Sequence, residues 1–376
     1  MSYDRPIDRL PLPGTPDFHK ARARFRKKHR KQAQITLEDI KTAYDKLARH
    51  KDCAFKETKN HDAMVGIVRR IRNGTYRPEK PRKRKLPKPG GGYRLLQIPN
   101  IFDRCVSRAC LDSISSQAEM QFDPRSHGAR RDFGIQSAIS MASEALAAGL
   151  SYFASADVQT AFDTVPIEKA LNCLTWLAPG HHNLELIRVI ARGHLGASSM
   201  AGLRQGDCLS PLLFNAFMHF HADQAIQNTK DFAYVRFTDN IFTFSREPGL
   251  GPKMLGPVKE NLAGLGMNLR MDPEVCVNNH QKCQVLGYQL GFENGRIIVT
   301  GSEKSWIQLA IRLASAFEKP NPQQAGLSCV KGWLASQSLR DSWSPEDLTR
   351  LNDIIKEHGL DFRISEKEIE VLTVTI

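Results

Sequence analysis

Two aspartates stand where chemistry can be done. Asp157 lies in Ser155-Ala156-Asp157-Val158-Gln159-Thr160-Ala161-Phe162-Asp163, just after the apolar run Tyr152-Phe153-Ala154. Asp239 shares a polar tip with Asn240, between Tyr234-Val235-Arg236-Phe237 and Ile241-Phe242-Thr243-Phe244. Aromatic and β-branched runs on either side of a short polar tip predict a β-hairpin. A plain hairpin turn carries Asn-Gly or Asp-Gly, and here the glycine is missing and a carboxylate takes the tip. Two aspartates on adjacent strand ends can hold a pair of Mg²⁺ ions. Such a pair serves in-line nucleotidyl transfer: one ion activates the attacking oxygen and the other steadies the leaving group.

The elements that must position these groups follow from periodicity and punctuation. Strands are expected near residues 151–157, 234–238, 241–245 and 283–290. Thr36-Leu37-Glu38-Asp39 is a capping box opening an amphipathic helix to about Ala48. Helices are expected from about His61 to Ile71, Ile101 to Ser116, 134 to 148, 167 to 177 and Ser210 to Asn228. Residues 78–94 are a basic stretch whose Gly90-Gly91-Gly92 reads as a flexible hairpin turn, leading into a strand over Arg94 to Ile98. After residue 300 the chain turns wholly helical, over Ser302–Lys319, Gln323–Ser336 and Ser344–His358. The last has Ser344 as N-cap, Pro345 at the first helical position and Gly359 past its end.

A chain of 376 residues is long enough for two or three subdomains around a sizeable core. No apolar run approaches the length of a membrane span, and the polar, basic N-terminus has no apolar signal core, so no membrane association is expected. Eight scattered cysteines without a Cys-x-x-Cys pair suit reduced thiols and a cytoplasmic setting. Cys276, His280 and Cys283 are a weak zinc candidate. Charge is segregated. Residues 1–100 hold 27 Lys and Arg against 10 Asp and Glu, a net of +17, while the remainder is slightly acidic. Such a basic region is the footprint of a polyanionic partner, although a solvated basic tail fits residues 20–31 about as well.

Taken in order, the motifs resemble a reverse transcriptase of the group II intron type. Lys88-Pro-Gly-Gly-Gly-Tyr-Arg94-Leu-Leu-Gln-Ile-Pro99 with Asp103-Arg104 resembles the family's first fingers motif. Ser126-His-Gly128-Ala-Arg130 resembles the second. Asp157 to Asp163 resembles the palm motif with the first catalytic aspartate. Gly202-Leu-Arg-Gln205-Gly206-Asp-Cys-Leu-Ser210-Pro211-Leu-Leu-Phe-Asn215 resembles the Gln-Gly and Ser-Pro-Leu-Leu motif. Phe237-Thr-Asp239-Asn240 stands where the family has an aromatic, a small residue and two aspartates, and Val285-Leu286-Gly287-Tyr288 resembles the primer grip. The resemblance implies an α/β fold with an α+β palm, a right hand of fingers, palm and helical thumb. The implied division is a basic extension over 1–59, fingers over 60–150, palm over 151–300 and thumb over 301–376. Maturase and endonuclease extensions are expected to be missing.

The resemblance also assigns roles. Asp157, Asp239 and Asn240 would form the catalytic group, with Mg²⁺ held by Asp157, Asp239 and the backbone carbonyl of Val158. Lys88 and Arg94 would bind the triphosphate, and Gln205 and Gly206 would line the nucleotide pocket. Phe162 would act as a steric gate against the ribose 2′-hydroxyl, favouring dNTPs. Arg69, Arg70, Arg77, Arg82, Lys83, Arg84 and Lys85 would track template phosphates, contacts that carry affinity rather than sequence. The implied activity is RNA-directed DNA polymerase, with an RNA template, a DNA or RNA primer and dNTPs as partners. A dedicated non-coding RNA or partner protein stays open, as do retroelement mobility, antiviral (phage) defence and a domesticated role.

The pattern breaks in three places. Asn240 replaces the second aspartate of the hairpin. Val275-Cys276 stands where the family has Lys-Thr, and that lysine is a plausible general acid for pyrophosphate release. Arg204 and Asp207 depart from the usual residues around Gln205-Gly206. Two rival readings therefore stand beside the polymerase: a catalytically weakened fold kept as an RNA-binding scaffold, and an RNA-templated RNA polymerase. Phe162 speaks against the latter.

Overall fold

The computed structural model describes residues 34–49, 60–87, 92–193 and 201–374. Lys88, one of the expected triphosphate ligands, lies outside the described residues, as does the basic segment 20–31. In chain order the helices are α1 (Leu37–Ala48), α2 (His61–Arg72), α3 (Ile101–Glu119), α4 (Ile135–Ala147), α5 (Ala161–Thr164), α6 (Ile167–Leu177), α7 (Leu184–Arg192), α8 (Leu209–His221), α9 (Leu250–Met254), α10 (Gly256–Ala263), α11 (Glu303–Phe317), α12 (Pro322–Ala335), α13 (Pro345–Glu357) and α14 (Glu366–Val374). The strands are β1 (Arg82–Pro87), β2 (Tyr93–Ile98), β3 (Tyr152–Val158), β4 (Phe232–Phe237), β5 (Asn240–Ser245), β6 (Leu269–Met271), β7 (Val275–Cys276), β8 (Cys283–Val285), β9 (Tyr288–Glu293) and β10 (Arg296–Gly301).

The central sheet runs β4-β5-β3-β6, with β7 also paired to β3, and every pairing in it is antiparallel. β5 is buried along nearly its whole length. Both its faces are covered, which explains a near-continuous apolar run rather than clean alternation. One core cluster joins α1, α2 and α3 to the helices behind the sheet, and a second joins the sheet to α4 and to the antiparallel β8-β9-β10 unit. A third, around Trp306, Leu309, Trp333 and Leu351, belongs to the C-terminal helices alone. Mixed helix and antiparallel sheet make this an α+β right hand, as expected.

Local signals place many ends correctly. Thr36 and Asp39 form the expected capping box, and Ser344 and Asp347 form another at the start of α13. Gly359 takes φ +67° just past that helix, a conformation glycine adopts without a Cβ penalty. The helix from Ser210 ends earlier than expected, at His221, and the chain continues as a short 3-10 turn over Asp223–Ala225. The reason is tertiary: Asp223 is drawn into the interior to meet Arg236. Among the described residues, no helix is long and apolar enough to cross a membrane.

Candidate active site

The hairpin is shifted by one residue from expectation. Phe237 pairs with Asn240, so the two turn residues are Thr238 and Asp239, and Asn240 opens β5. Two-residue turns with positive φ at the first position match the twist of antiparallel strands. Thr238 takes that position at φ +54°. For a β-branched residue this is strained, at a cost of about 1–3 kcal/mol, and it persists only where surroundings over-determine it.

Those surroundings come from three distant segments. Arg236, wholly buried in β4, donates from Nη1 to the Thr238 carbonyl at 2.8 Å and to Asn215 Oδ1 at 3.0 Å. Its Nε and Nη2 each meet an Asp223 carboxylate oxygen at 2.7 Å. Burial opposes the guanidinium charge, and the facing Asp223 carboxylate more than offsets it, so the pKa of Arg236 is held above its ordinary value. The Tyr234 hydroxyl donates to Asp223 at 2.8 Å, and burial followed by that carboxylate pushes its pKa well up.

The Ser126-to-Arg130 motif supplies the outer clamp. Ser126 bridges Arg236 in parallel, and the His127 N–H donates to the Arg236 carbonyl at 2.8 Å. Gly128 presses on the turn: a Cβ there would sit 2.6 Å from the Thr238 nitrogen and 2.7 Å from its methyl. The Gly128 carbonyl accepts from Asn215 Nδ2 at 2.8 Å, which ties α8 to the same clamp. Burial, with Arg130 and Arg236 nearby, pushes the His127 imidazole down to about 4, so it is neutral at physiological pH.

The sheet brings the expected catalytic residues together. Asp157 is in register with Asn240 on β5, and the Val158 N–H donates to the Asp239 carbonyl at 3.1 Å. The Thr238 hydroxyl lies 2.8 Å from Asp239 Oδ1, and Asn240 Nδ2 lies 3.5 Å from the same oxygen. Both carboxylates border an open cleft of about 660 Å³ between the sheet and the C-terminal helices, whose far wall includes Tyr288, Gln308 and Gln337. Among the described residues no cluster of three or more His, Cys, Asp or Glu side chains suits a metal. Two carboxylates and a backbone carbonyl are hard oxygen donors. That set fits a divalent ion completed by water and substrate phosphates, rather than an all-protein cage.

On the other side of Asp157, β6 places Arg270 directly in register with it. Arg270 Nε and Nη2 meet Asp157 Oδ1 at 2.9 and 2.7 Å. Sequence reasoning missed this residue and looked for a cation at position 275. Val275 instead pairs with Phe153, four residues up β3 and so about 13 Å from Asp157 along the strand. Lys282, also nearby in sequence, packs its stem beside Gly291 on the β8-β9 ribbon.

Phe162, Gln205 and Gly206, expected to line a nucleotide pocket, are each held by contacts from other segments. Phe162 is half-buried and stacks on Phe214, with ring centres 5.0 Å apart and planes 26° from parallel. Its carbonyl accepts from the Leu203 N–H at 2.6 Å. Gln205 Nε2 donates to Asp163 Oδ1 at 2.9 Å, so Asp163 orients this side chain. Gly206 has φ +115°, and a Cβ there would meet the Gln97 carbonyl at 3.2 Å. The Gln97 N–H donates to the Gln205 carbonyl at 2.8 Å, which docks β2, and with it the exposed Arg94, onto the pocket loop. The unusual Arg204 and Asp207 form a buried pair at 3.3 Å, a structural role.

The expected template cations do not form one surface. Pairing of β1 with β2 puts Arg82, Arg84 and Arg94 on one face of the ribbon and Lys83 and Lys85 on the other. Arg69 and Arg70 are exposed on α2. Arg77 bends back to the carbonyls of Gly74 at 3.2 Å and Tyr76 at 2.6 Å.

Comparison with known proteins bears on the family of the chain. The family described as reverse transcriptase (RNA-dependent DNA polymerase) matches residues 86–290, more than half of the chain. An uncharacterized 91 kDa protein in a cob intron of Schizosaccharomyces pombe is 25% identical over 174 residues, 45% of this chain and 21% of that protein. The group II intron-encoded protein LtrA of Lactococcus lactis subsp. cremoris is 25% identical over 166 residues, 43% of this chain and 28% of that protein. The chain thus spans less than a third of the length of these curated relatives. A telomerase structure from Candida albicans, in complex with a fragment of telomeric RNA, aligns with a TM-score of 0.42 and 12% identity, covering 80% of this chain and 65% of that one.

Proposed function

The chain belongs to the reverse transcriptase (RNA-dependent DNA polymerase) family, and on that premise we propose that it is an Mg²⁺-dependent RNA-directed DNA polymerase extending a primer with dNTPs on an RNA template. The observation that carries this reading is the junction of Asp157 and Asp239. The two meet there through the Val158-to-Asp239 bond, beside an open cleft that both carboxylates border. The carboxylates of Asp157 and Asp239 and the carbonyl of Val158 would hold the metal. Metal bound there would supply Lewis-acid activation of the primer 3′-oxygen and charge compensation for the departing pyrophosphate.

The remaining roles fall to this chain's own residues. Phe162, braced by Phe214, stands against the sugar and disfavours a 2′-hydroxyl. Gln205, oriented by Asp163, borders the nucleotide. Arg94, Arg84 and Arg82 share one ribbon face suited to phosphate. The clamp on Thr238 keeps Asp239 preorganised, which is where electrostatic catalysis gains most. A cytoplasmic setting belongs to the proposal, supported by free thiols at the seven described cysteines.

Primer extension on poly(rA)/oligo(dT) with Mg²⁺ and dTTP tests the reading. Extension is expected from the wild type. Asp157→Ala and Asp239→Ala should each lower it at least about a hundredfold, the scale of losing one preorganised electrostatic group. Incorporation of NTPs but not dNTPs would favour an RNA polymerase. Extension by Asn240→Asp alone would mean a scaffold disabled at its metal site.

A further inference from the structure

We infer that Arg270 is a positioning residue that keeps Asp157 from binding a divalent metal until a nucleoside triphosphate enters the site. The inference rests on the polymerase reading above. Arg270 faces Asp157 across the β3–β6 ladder, and both of its bonds fall on one oxygen, Oδ1. In the neighbouring hairpin turn, the Thr238 hydroxyl and the Asn240 amide both approach Oδ1 of Asp239. Two carboxylates and one guanidinium leave a formal charge of only −1. A hard dication is drawn to such a centre less strongly than to two unpaired carboxylates.

A triphosphate changes this balance in two ways. Its oxygens supply the negative charge that two-carboxylate Mg²⁺ sites ordinarily take from substrate phosphates. It also offers the Arg270 fork a second anionic acceptor, since guanidinium binds phosphate oxygens bidentately. The exchange is easy because the pair is accessible, with side-chain exposures of 58% for Arg270 and 29% for Asp157. Exposed pairs of this kind are weak and readily displaced. Arg270 is thus a latch whose release is coupled to substrate entry.

Mn²⁺ binding to the nucleotide-free protein, followed by electron paramagnetic resonance, tests this without requiring turnover. Arg270→Gln should bind Mn²⁺ roughly three- to tenfold more tightly than the wild type, the scale of removing one cation from a partly buried carboxylate. Arg270→Lys should stay within about twofold of the wild type, because charge rather than shape sets the effect. Titration with the Mn²⁺ complex of a non-hydrolysable dNTP should then show Arg270→Gln no tighter than the wild type. The same gain in both titrations would overturn the coupling to triphosphate. Equal Mn²⁺ affinity of folded wild type and Arg270→Gln would overturn the role of Arg270 and leave the metal reading standing. No binding by any form, including Arg270→Gln combined with Asn240→Asp, would overturn both.

Discussion

Two arginine–carboxylate pairs flank the same hairpin and meet at nearly the same distances, yet they do different work. Arg236 and Asp223 are both wholly buried, their four charged atoms paired at 2.7 Å. Arg270 and Asp157 meet at 2.9 and 2.7 Å but stand 58% and 29% exposed. Bond length does not distinguish them; burial does. In the interior, neither partner of Arg236 can be lost without stranding a charge in a low-dielectric site. At the cleft edge, water and counter-ions screen the second pair, so its partners can be exchanged. The first pair holds in place the turn that carries Asp239, and the second sits on Asp157 at the cleft edge, where its partners can change.

Removing one partner of the buried pair should have the largest effect. Arg236→Met leaves Asp223 uncompensated and should cost about 3–5 kcal/mol in urea unfolding. Arg236→Met with Asp223→Leu should recover part of that loss, since a buried pair is often replaceable by apolar side chains of similar volume. If Arg236→Met alone unfolds like the wild type, burial is not what separates the two pairs.

Gly128→Ala should fall in the middle. Its methyl must displace the Thr238 backbone, and overpacking of this kind costs about 1–3 kcal/mol. Because Thr238 adjoins Asp239, primer extension should fall by more than the stability loss explains. Extension retained beside a stability loss would place the clamp outside catalysis.

Arg270→Gln should have the smallest effect on folding, under about 1 kcal/mol by the same unfolding measurement. A loss approaching that of Arg236→Met would erase the distinction and make Arg270 a structural residue.

The two aspartates were legible in the sequence because each interrupts an apolar strand pattern at its end, and a strand end is where a carboxylate meets solvent. Arg236 carried a fainter signal. It is a charge amid Tyr234-Val235-Arg236-Phe237, where both faces of the strand are apolar, and such a charge needs a buried partner. Nothing local identifies that partner as Asp223, since the intervening chain must first fold back and cut α8 short. Arg270 had weaker signals still. It sits in a three-residue strand whose neighbour, β3, lies more than a hundred positions away. The shift of the turn from Asp239-Asn240 to Thr238-Asp239 was equally hidden, because Gly128 and the Arg236 guanidinium impose it from outside.

By itself the sequence determined the elements and the reactive groups: caps and turns act over three or four residues, and the alternation of apolar side chains sets which strands are buried. Tertiary structure alone decided which charges meet and how much water surrounds them. That matters because Coulomb energy depends on distance and dielectric, and both are properties of the packed molecule rather than of neighbours along the chain.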